Sequence, residues 1–244
     1  MARKLKKPPI KNLELSLVMP CLNEERTVSS CVKKCKAALK QYKILGEIVV
    51  CDNNSTDNSR EIASRDGARV ILEKNRGYGN ACIRGLNEGK GKYLLKLDAD
   101  GSYDPMEIDR FIKYLREGYD VVMGSRYKGK ILTGSMPWSH KYIGNPILTL
   151  ISNLICKTGI SDLCCGMKAF NKRALSKLNL NSPGMEFGPE TTIKARQAGL
   201  KIKEVPITYH PDGRVRKSNL NQWRDGLRDI LFIIKESRFF RQYP

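Results

Sequence analysis

The chain has 244 residues, 41% of them hydrophobic, which suits one large domain with a substantial core and leaves little room for two. Lysine and arginine outnumber aspartate and glutamate by 44 to 25, a net charge of +19. That field favours polyanions, nucleotides or an anionic lipid surface. No segment reaches the roughly 18 apolar residues needed to cross a bilayer, and no apolar signal-peptide core follows the basic start, so a cytosolic chain is expected.

Residues 1–12 form a basic arm. An apolar run at 15–19 predicts a strand ending at Pro20-Cys21-Leu22-Asn23-Glu24, with a helix following through Val28, Val32 and Ala37. Cys31 and Cys35 lie four apart on that helix and could touch a metal together, but no second pair completes a site. The eight cysteines contain no C-x-x-C, only two histidines exist, and Cys164-Cys165 adds no ligand spacing. Reduced core thiols are the expectation.

A second strand at 47–51 ends in Asp52-Asn53-Asn54-Ser55-Thr56-Asp57, and a third at 69–72 runs into Asn75-Arg76-Gly77-Tyr78-Gly79-Asn80 and a helix. This glycine run differs from a dinucleotide fingerprint: the third glycine is replaced by Cys82, and it follows the third strand, not the first. The glycines then serve to bring the backbone close to a ligand or to a neighbouring helix.

The fourth apolar run, 93–97, leads into Asp98-Ala99-Asp100-Gly101. Side chains at i and i+2 of a strand share a face. Two carboxylates so placed repel unless something positive sits between them, and a divalent cation is the usual solution. A solvated acidic turn is the bland alternative. Asp104-Pro105 can open the next helix, and a fifth strand at 120–123 stops at Gly124-Ser125-Arg126. Strand and helix alternate throughout, so the fold class is α/β, with a mostly parallel twisted sheet whose carboxyl edge gathers these polar clusters.

Pro20-x-x-Asn23-Glu24, Asp52 to Asp57, Asn75-x-Gly77-x-Gly79, Asp98-Ala99-Asp100 and Gly124-Ser125-Arg126, in this order, resemble the nucleotide-sugar half of family 2 glycosyltransferases with the GT-A fold. In the second half, Met136-Pro137-Trp138, Gly144-Asn145-Pro146, Asp162-x-x-Cys165-Gly166-Met167, Gly184-Met185-Glu186-Phe187 and Glu204-Val205-Pro206-Ile207 are similar to polyprenyl- and dolichyl-phosphate sugar synthases. The resemblance implies a single Rossmann-like GT-A domain over 13–212, with a donor half at about 13–126 and an acceptor half at about 127–212. A basic loop and an amphipathic helix would follow at 213–244.

The same resemblance implies an inverting hexosyl transfer from a nucleotide sugar, with UDP-glucose favoured over UDP-N-acetylglucosamine and GDP-mannose. Pro20, Asn23, Glu24, Asp52, Asn54, Gly77, Gly79, Asn80 and Ala99 would line the donor site, and Asp98 and Asp100 would carry Mg²⁺ or Mn²⁺. Arg126 would reach phosphate oxygens, for which a guanidinium fork is well shaped. A phosphate acceptor, with a second pKa of about 6, is already dianionic and needs holding, not deprotonating. His140, Lys141, Arg214 and Lys217, with Lys128, Lys130 and Arg216 nearby, are the candidates to hold it. A hydroxyl acceptor needs a base, for which Asp162 is the candidate, its alternative being a helix cap or turn residue. Glu186 and Glu190 could also face the acceptor.

Two departures stand out. Ser102 occupies a position where relatives often have a Gln near the metal, and 214–218 reads Arg-Val-Arg-Lys-Ser where many have Arg before a Ser-Lys pair. Two stripes, Ile143/Ile147/Leu150/Ile151/Leu154/Ile155 and Leu220/Trp223/Leu227/Ile230/Leu231/Ile234, suit either core packing or a membrane interface. The expectation is a cytoplasmic enzyme peripheral to an anionic membrane, acting on a lipid phosphate. The competing readings are a soluble transferase to a sugar or protein hydroxyl and a basic RNA-binding protein. Without interleaved surface aromatics or an RNA-binding signature, no nucleic-acid partner is expected.

Overall fold

A computed structural model describes residues 12–214 and 222–242, with side chains in the last stretch described for 226–237. Lys217, Arg216, Leu220 and most of the basic arm lie outside the described residues, as do the side chains of Trp223 and Arg224.

Among the described residues, seven strands make one sheet in the order β3-β2-β1-β4-β6-β5-β7. Here β1 is Leu15–Cys21, β2 Gly46–Asp52, β3 Arg69–Leu72, β4 Tyr93–Lys96, β5 Val121–Ile131, β6 Lys168–Asn171 and β7 Ile202–Tyr209. The first four are mutually parallel, β6 runs antiparallel to both its neighbours, and β7 is parallel to β5. The helices are α1 (Val28–Gln41), α2 (Ser59–Arg65), α3 (Tyr78–Glu88), α4 (Ile108–Arg116), α5 (Asn145–Cys156), α6 (Lys172–Leu175), α7 (Phe187–Gln197) and α8 (Gln222–Gln242).

Period-two alternation along the strands feeds two cores. Leu15, Leu17 and Met19 of β1 face a cluster containing α1 and α4, while Val18 faces one containing α3, α5, α7 and α8. In α4, Ile108, Phe111, Ile112 and Leu115 recur at helical spacing and are all buried. Each such side chain contributes about 1.5–3 kcal/mol by leaving water. Among the described helices, none is long and apolar enough to cross a membrane.

Several expectations shift. The buried stripe of α1 is Val28, Cys31, Val32, Cys35 and Ala38, not Ala37, because i+3/i+4 spacing turns residue 37 outward. Burial pushes the Cys31 and Cys82 thiols up to about 12, so they behave as core hydrophobes. Gly124-Ser125-Arg126 is not a strand end: β5 continues through it, because β7 supplies ladder partners as far as Ile131 after an irregularity between Ser125 and Lys130. The two apolar stripes divide between core and solvent. Ile151 and Ile155 pack on the second core, whereas Ile143, Ile147, Leu150 and Leu154 are exposed. On α8, Ile233 is buried and Leu227, Leu231 and Ile234 are exposed.

Candidate active site

β4 ends at Lys96, so Asp98 and Asp100 lie in the turn beyond it and not on the strand itself. Gly101 takes φ 84°, a conformation that favours glycine, and reverses the chain. Each carboxylate already has a cation. The Lys96 ammonium is buried two residues before Asp98 and lies 2.7 Å from Asp98 Oδ1. Tyr78 Oη donates to the same oxygen at 3.1 Å and also contacts Lys96 Nζ. Burial works against the Lys96 charge, yet Asp98 beside it leaves its pKa raised.

Asp100 accepts from the Ser102 backbone N–H at 2.9 Å and from its hydroxyl at 2.6 Å, both on Oδ1. Ser102 thus orients the carboxylate. The other oxygen, Oδ2, is 2.9 Å from Arg214 Nη2, while Arg214 Nε donates to Glu24 Oε1 at 2.8 Å. Burial, then the charge of Asp98, raise the Asp100 pKa against the pull of Arg214, and burial likewise raises that of Glu24. Backbone bonds deliver Arg214 to this position. Beyond β7, His210 N–H donates to Ser102 O at 2.9 Å and Gly213 N–H to Asp100 O at 2.8 Å. A Cβ on Gly213 would come within 2.8 Å of Thr27 Cγ2, so the approach needs a glycine.

The carboxyl ends of β1 and β2 make the adjoining wall. Asp52 is fully buried, 3.0 Å from Arg60 Nε, and accepts from Ser55 N–H at 3.1 Å. Asn23 and Asn54 take positive φ values of 56° and 65°, and Asn23 Oδ1 accepts from Thr56 N–H at 2.7 Å. Pro20 sits in the β1–β2 ladder opposite Cys51, and Ala99 is buried. The glycines of the α3 turn approach protein, not an open cleft. Gly79 N–H donates to Pro183 O at 2.9 Å, and a Cβ at Gly77 or Gly79 would lie 2.2 or 2.0 Å from the carbonyls of Pro183 and Ser182. Asn80 turns its amide back to Arg76 O at 3.2 Å.

Arg126 and Asp162 form a sealed pair. Arg126 Nε and Nη2 donate to Asp162 Oδ2 and Oδ1 at 2.8 and 2.7 Å, and the Arg126 backbone N–H adds a third bond at 2.9 Å. Both Asp162 oxygens are thereby occupied, so service as a base requires the pair to open. The Tyr209 ring lies 5.2 Å from the Arg126 guanidinium. His140 and Lys141 sit apart on a π-helical turn, His140–Gly144, where burial and then Arg126 lower the His140 pKa. Lys128 is engaged by Glu204 at 2.6 Å. Glu186 pairs with Arg228 of α8 at 2.8 Å, and Glu190 accepts from Asn181 and Ser182 N–H at 2.9 and 3.0 Å. Glu190 therefore secures the loop that meets α3.

The residue pattern assigns no role to Lys96, Tyr78 or Lys168. A lysine inside an apolar strand run is itself a signal, since such a charge is rarely buried without a partner. Lys168 of β6 lies opposite Lys96 of β4 and donates to Gly188 O, Thr191 Oγ1 and Thr192 Oγ1 at 2.6, 2.9 and 3.0 Å. Burial pulls its pKa down to about 8.

Among the described residues, no three His, Cys, Asp or Glu side chains gather into a complete metal site. The Asp98–Asp100 pair still fits Mg²⁺ or Mn²⁺, hard ions that take one or two carboxylates and fill the remaining positions with water and phosphate oxygens. Gly166 leaves room beside it: a Cβ there would lie 2.8 Å from Asp98 Oδ2 and 2.9 Å from Tyr103 Oη.

Comparison with known proteins accords with this arrangement. The chain is 42% identical over 221 residues to the low-salt glycan biosynthesis hexosyltransferase Agl6 of Haloferax volcanii, covering 90% of this chain and 53% of that protein. It thus spans about half the length of that relative. Glycosyltransferase AglJ of the same organism is 29% identical over 220 residues, 89% of this chain and 69% of the relative. Glucosyl-3-phosphoglycerate synthase of Mycobacterium tuberculosis, crystallised with Mn²⁺, UDP and glucosyl-3-phosphoglycerate, superposes with a TM-score of 0.72 at 21% identity, covering 92% of this chain and 79% of that one. This likeness supports the GT-A fold. Residues 16–178 match the Glycosyl transferase family 2 profile, and the chain belongs to that family.

Proposed function

We propose that the chain transfers a hexose, with inversion, from a nucleotide sugar to a polyprenyl or dolichyl phosphate at the cytoplasmic membrane face. The observation that carries this reading is the convergence of Glu24, Asp98 and Asp100 on one edge of the sheet, where Arg214 bridges two of them. Residues 13–126 would form the donor half, with UDP-glucose the favoured donor, and 127–212 the acceptor half. Glu24 and Asp52 would accept hydrogen bonds from base and ribose, Asp52 after its buried pair with Arg60 turns toward the ligand. Asn23, Asn54 and the Pro20 strand end shape the same wall. Asp98 and Asp100 would hold Mg²⁺ or Mn²⁺, which supplies charge neutralisation to the departing nucleoside diphosphate.

The acceptor half supports a phosphate over a hydroxyl. Asp162, the candidate base, is tied at both oxygens to Arg126, and a dianionic phosphate needs no base. Lys130 and Lys141 are described cations that could hold it, Arg214 could do so on leaving Glu24 and Asp100, and His140 would serve as a neutral hydrogen-bond donor. Exposed Trp138, Tyr142, Ile147, Leu150 and Leu154, with Leu227 and Leu231 on the adjoining α8, give an apolar surface matched to a lipid interface. The test is product analysis on a short polyprenyl phosphate with a panel of nucleotide sugars and Mn²⁺. A glycosyl-phospholipid product supports the reading. Transfer only to sugar or protein hydroxyls, or none with any donor, overturns it.

A further inference from the structure

The two cations on the carboxylate pair are held in unlike ways. Lys96 rises from β4, is buried, and shares Asp98 Oδ1 with Tyr78 Oη, whose ring stands edge-on to Phe187 at 6.2 Å. The Lys96 side chain keeps 1% of its surface exposed, so leaving Asp98 would carry the ammonium through packed interior. Arg214 comes from the other side, on the last described residue of the segment after β7, and its side chain keeps 22% of its surface exposed. One guanidinium lies on Glu24 through Nε, on Asp100 through Nη2 and 3.9 Å from Asp212 through Nη1. Its backbone is fixed one residue earlier by the Gly213 bond to Asp100 O. The side chain can therefore swing while the segment stays in register.

Among the described residues, Lys96 sits on Asp98, whereas Arg214 sits on Asp100, on Glu24 and more loosely on Asp212. Withdrawing Arg214 leaves Asp100 with no ion-pair partner among the described residues, and a divalent ion is a charge that could replace it. Both ions also need the same atom, since Arg214 Nη2 sits on Asp100 Oδ2 and Ser102 already fills Oδ1. A guanidinium and a divalent cation on one buried oxygen repel strongly.

We propose that Arg214 is the resident counter-cation of this carboxylate pair, exchanged for the divalent ion when ion and donor arrive together, whereas Lys96 is the permanent one. The inference rests on reading Asp98 and Asp100 as the cation-holding pair. Arg214 withholds Asp100 from free metal. Once displaced, its guanidinium is at the rim of the site and free to pair with a phosphate, the group it is shaped to grip.

The experiment titrates Mn²⁺ into the full chain and into Arg214→Gln without nucleotide, counting free ion by its EPR signal. Exchange predicts Mn²⁺ binding tighter by about tenfold or more in the glutamine variant, because one competing charge is gone. Arg214→Lys, which keeps the charge, should stay within about twofold of the unaltered chain, and saturating UDP-glucose should erase the advantage of Arg214→Gln. Equal or weaker Mn²⁺ binding by Arg214→Gln overturns the exchange, and so does an equal gain in both variants. If the unaltered chain takes up Mn²⁺ with UDP-glucose but Arg214→Gln shows no gain without it, exchange fails and the transferase reading stands. If no protein binds Mn²⁺ under either condition, the cation reading fails and the exchange with it.

Discussion

Arg126–Asp162 and Arg214–Asp100 are the same chemical pair in two settings. The first is closed: both carboxylate oxygens are taken, the guanidinium is buried, and Tyr209 lies beside it. The second is open on one side, with its guanidinium divided between Glu24 and Asp100. A sealed ion pair contributes shape and leaves an uncompensated charge if cut, whereas a pair at a rim is available to a rival ion. Position relative to solvent, not residue type, separates the two pairs.

Cutting the sealed pair should produce the largest change. Asp162→Asn strands the buried Arg126 charge, and the expected loss is about 3–5 kcal/mol, a Tm lower by roughly 10 °C in calorimetry. A Tm within about 2 °C of the unaltered protein would place Arg126 in solvent and erase the contrast. Asp100→Asn makes the opposite prediction. Transfer should fall by roughly 10²–10³ in kcat, by analogy with loss of one transition-state contact, while Tm changes little. A variant that turns over normally would move the chemistry away from the turn after β4.

A smaller effect is expected at the exposed apolar face. Leu150→Glu with Leu154→Glu should weaken binding to anionic vesicles at least about tenfold, since each leucine transfers about 1.5–3 kcal/mol of apolar surface. Unchanged flotation would assign the α5–α8 surface to another partner. A pH-dependent effect concerns Lys168, held neutral more easily than an ordinary lysine, with its pKa near 8 against about 10.4 when unfolded. Below pH 8 both states are protonated and the burial penalty is fully present. Between about 8 and 10.4 the unfolded chain binds the extra proton, so stability rises with pH. Urea melts should show that rise in the unaltered chain relative to Lys168→Met; parallel profiles would contradict it.

Much of the parallel side of the sheet is legible in the sequence because its signals are local. Asp52 at the end of β2 and Asp98 just beyond β4 follow apolar runs, and a parallel sheet brings such positions to one edge. The sequence marks Arg214 only as a candidate phosphate ligand, since its partners Glu24 and Asp100 lie far away in the chain and no periodicity links them. β7 pairs with β5 from about eighty residues further along the chain, so the extension of β5 through Gly124-Ser125-Arg126 is not legible locally, and β6, four residues long, is too short to announce its antiparallel direction. Lys96 is a local signal of its own: a lysine inside an apolar strand run calls for an anionic partner, and Asp98 lies two residues on.

The most direct test of the carboxylate pair is equilibrium binding of UDP-glucose with and without Mn²⁺, to the unaltered chain and to the Asp98→Asn, Asp100→Asn double variant. The prediction is donor binding tightened by Mn²⁺ at least about tenfold in the unaltered chain, with no metal effect in the variant. Equal enhancement by Mn²⁺ in both proteins would contradict it.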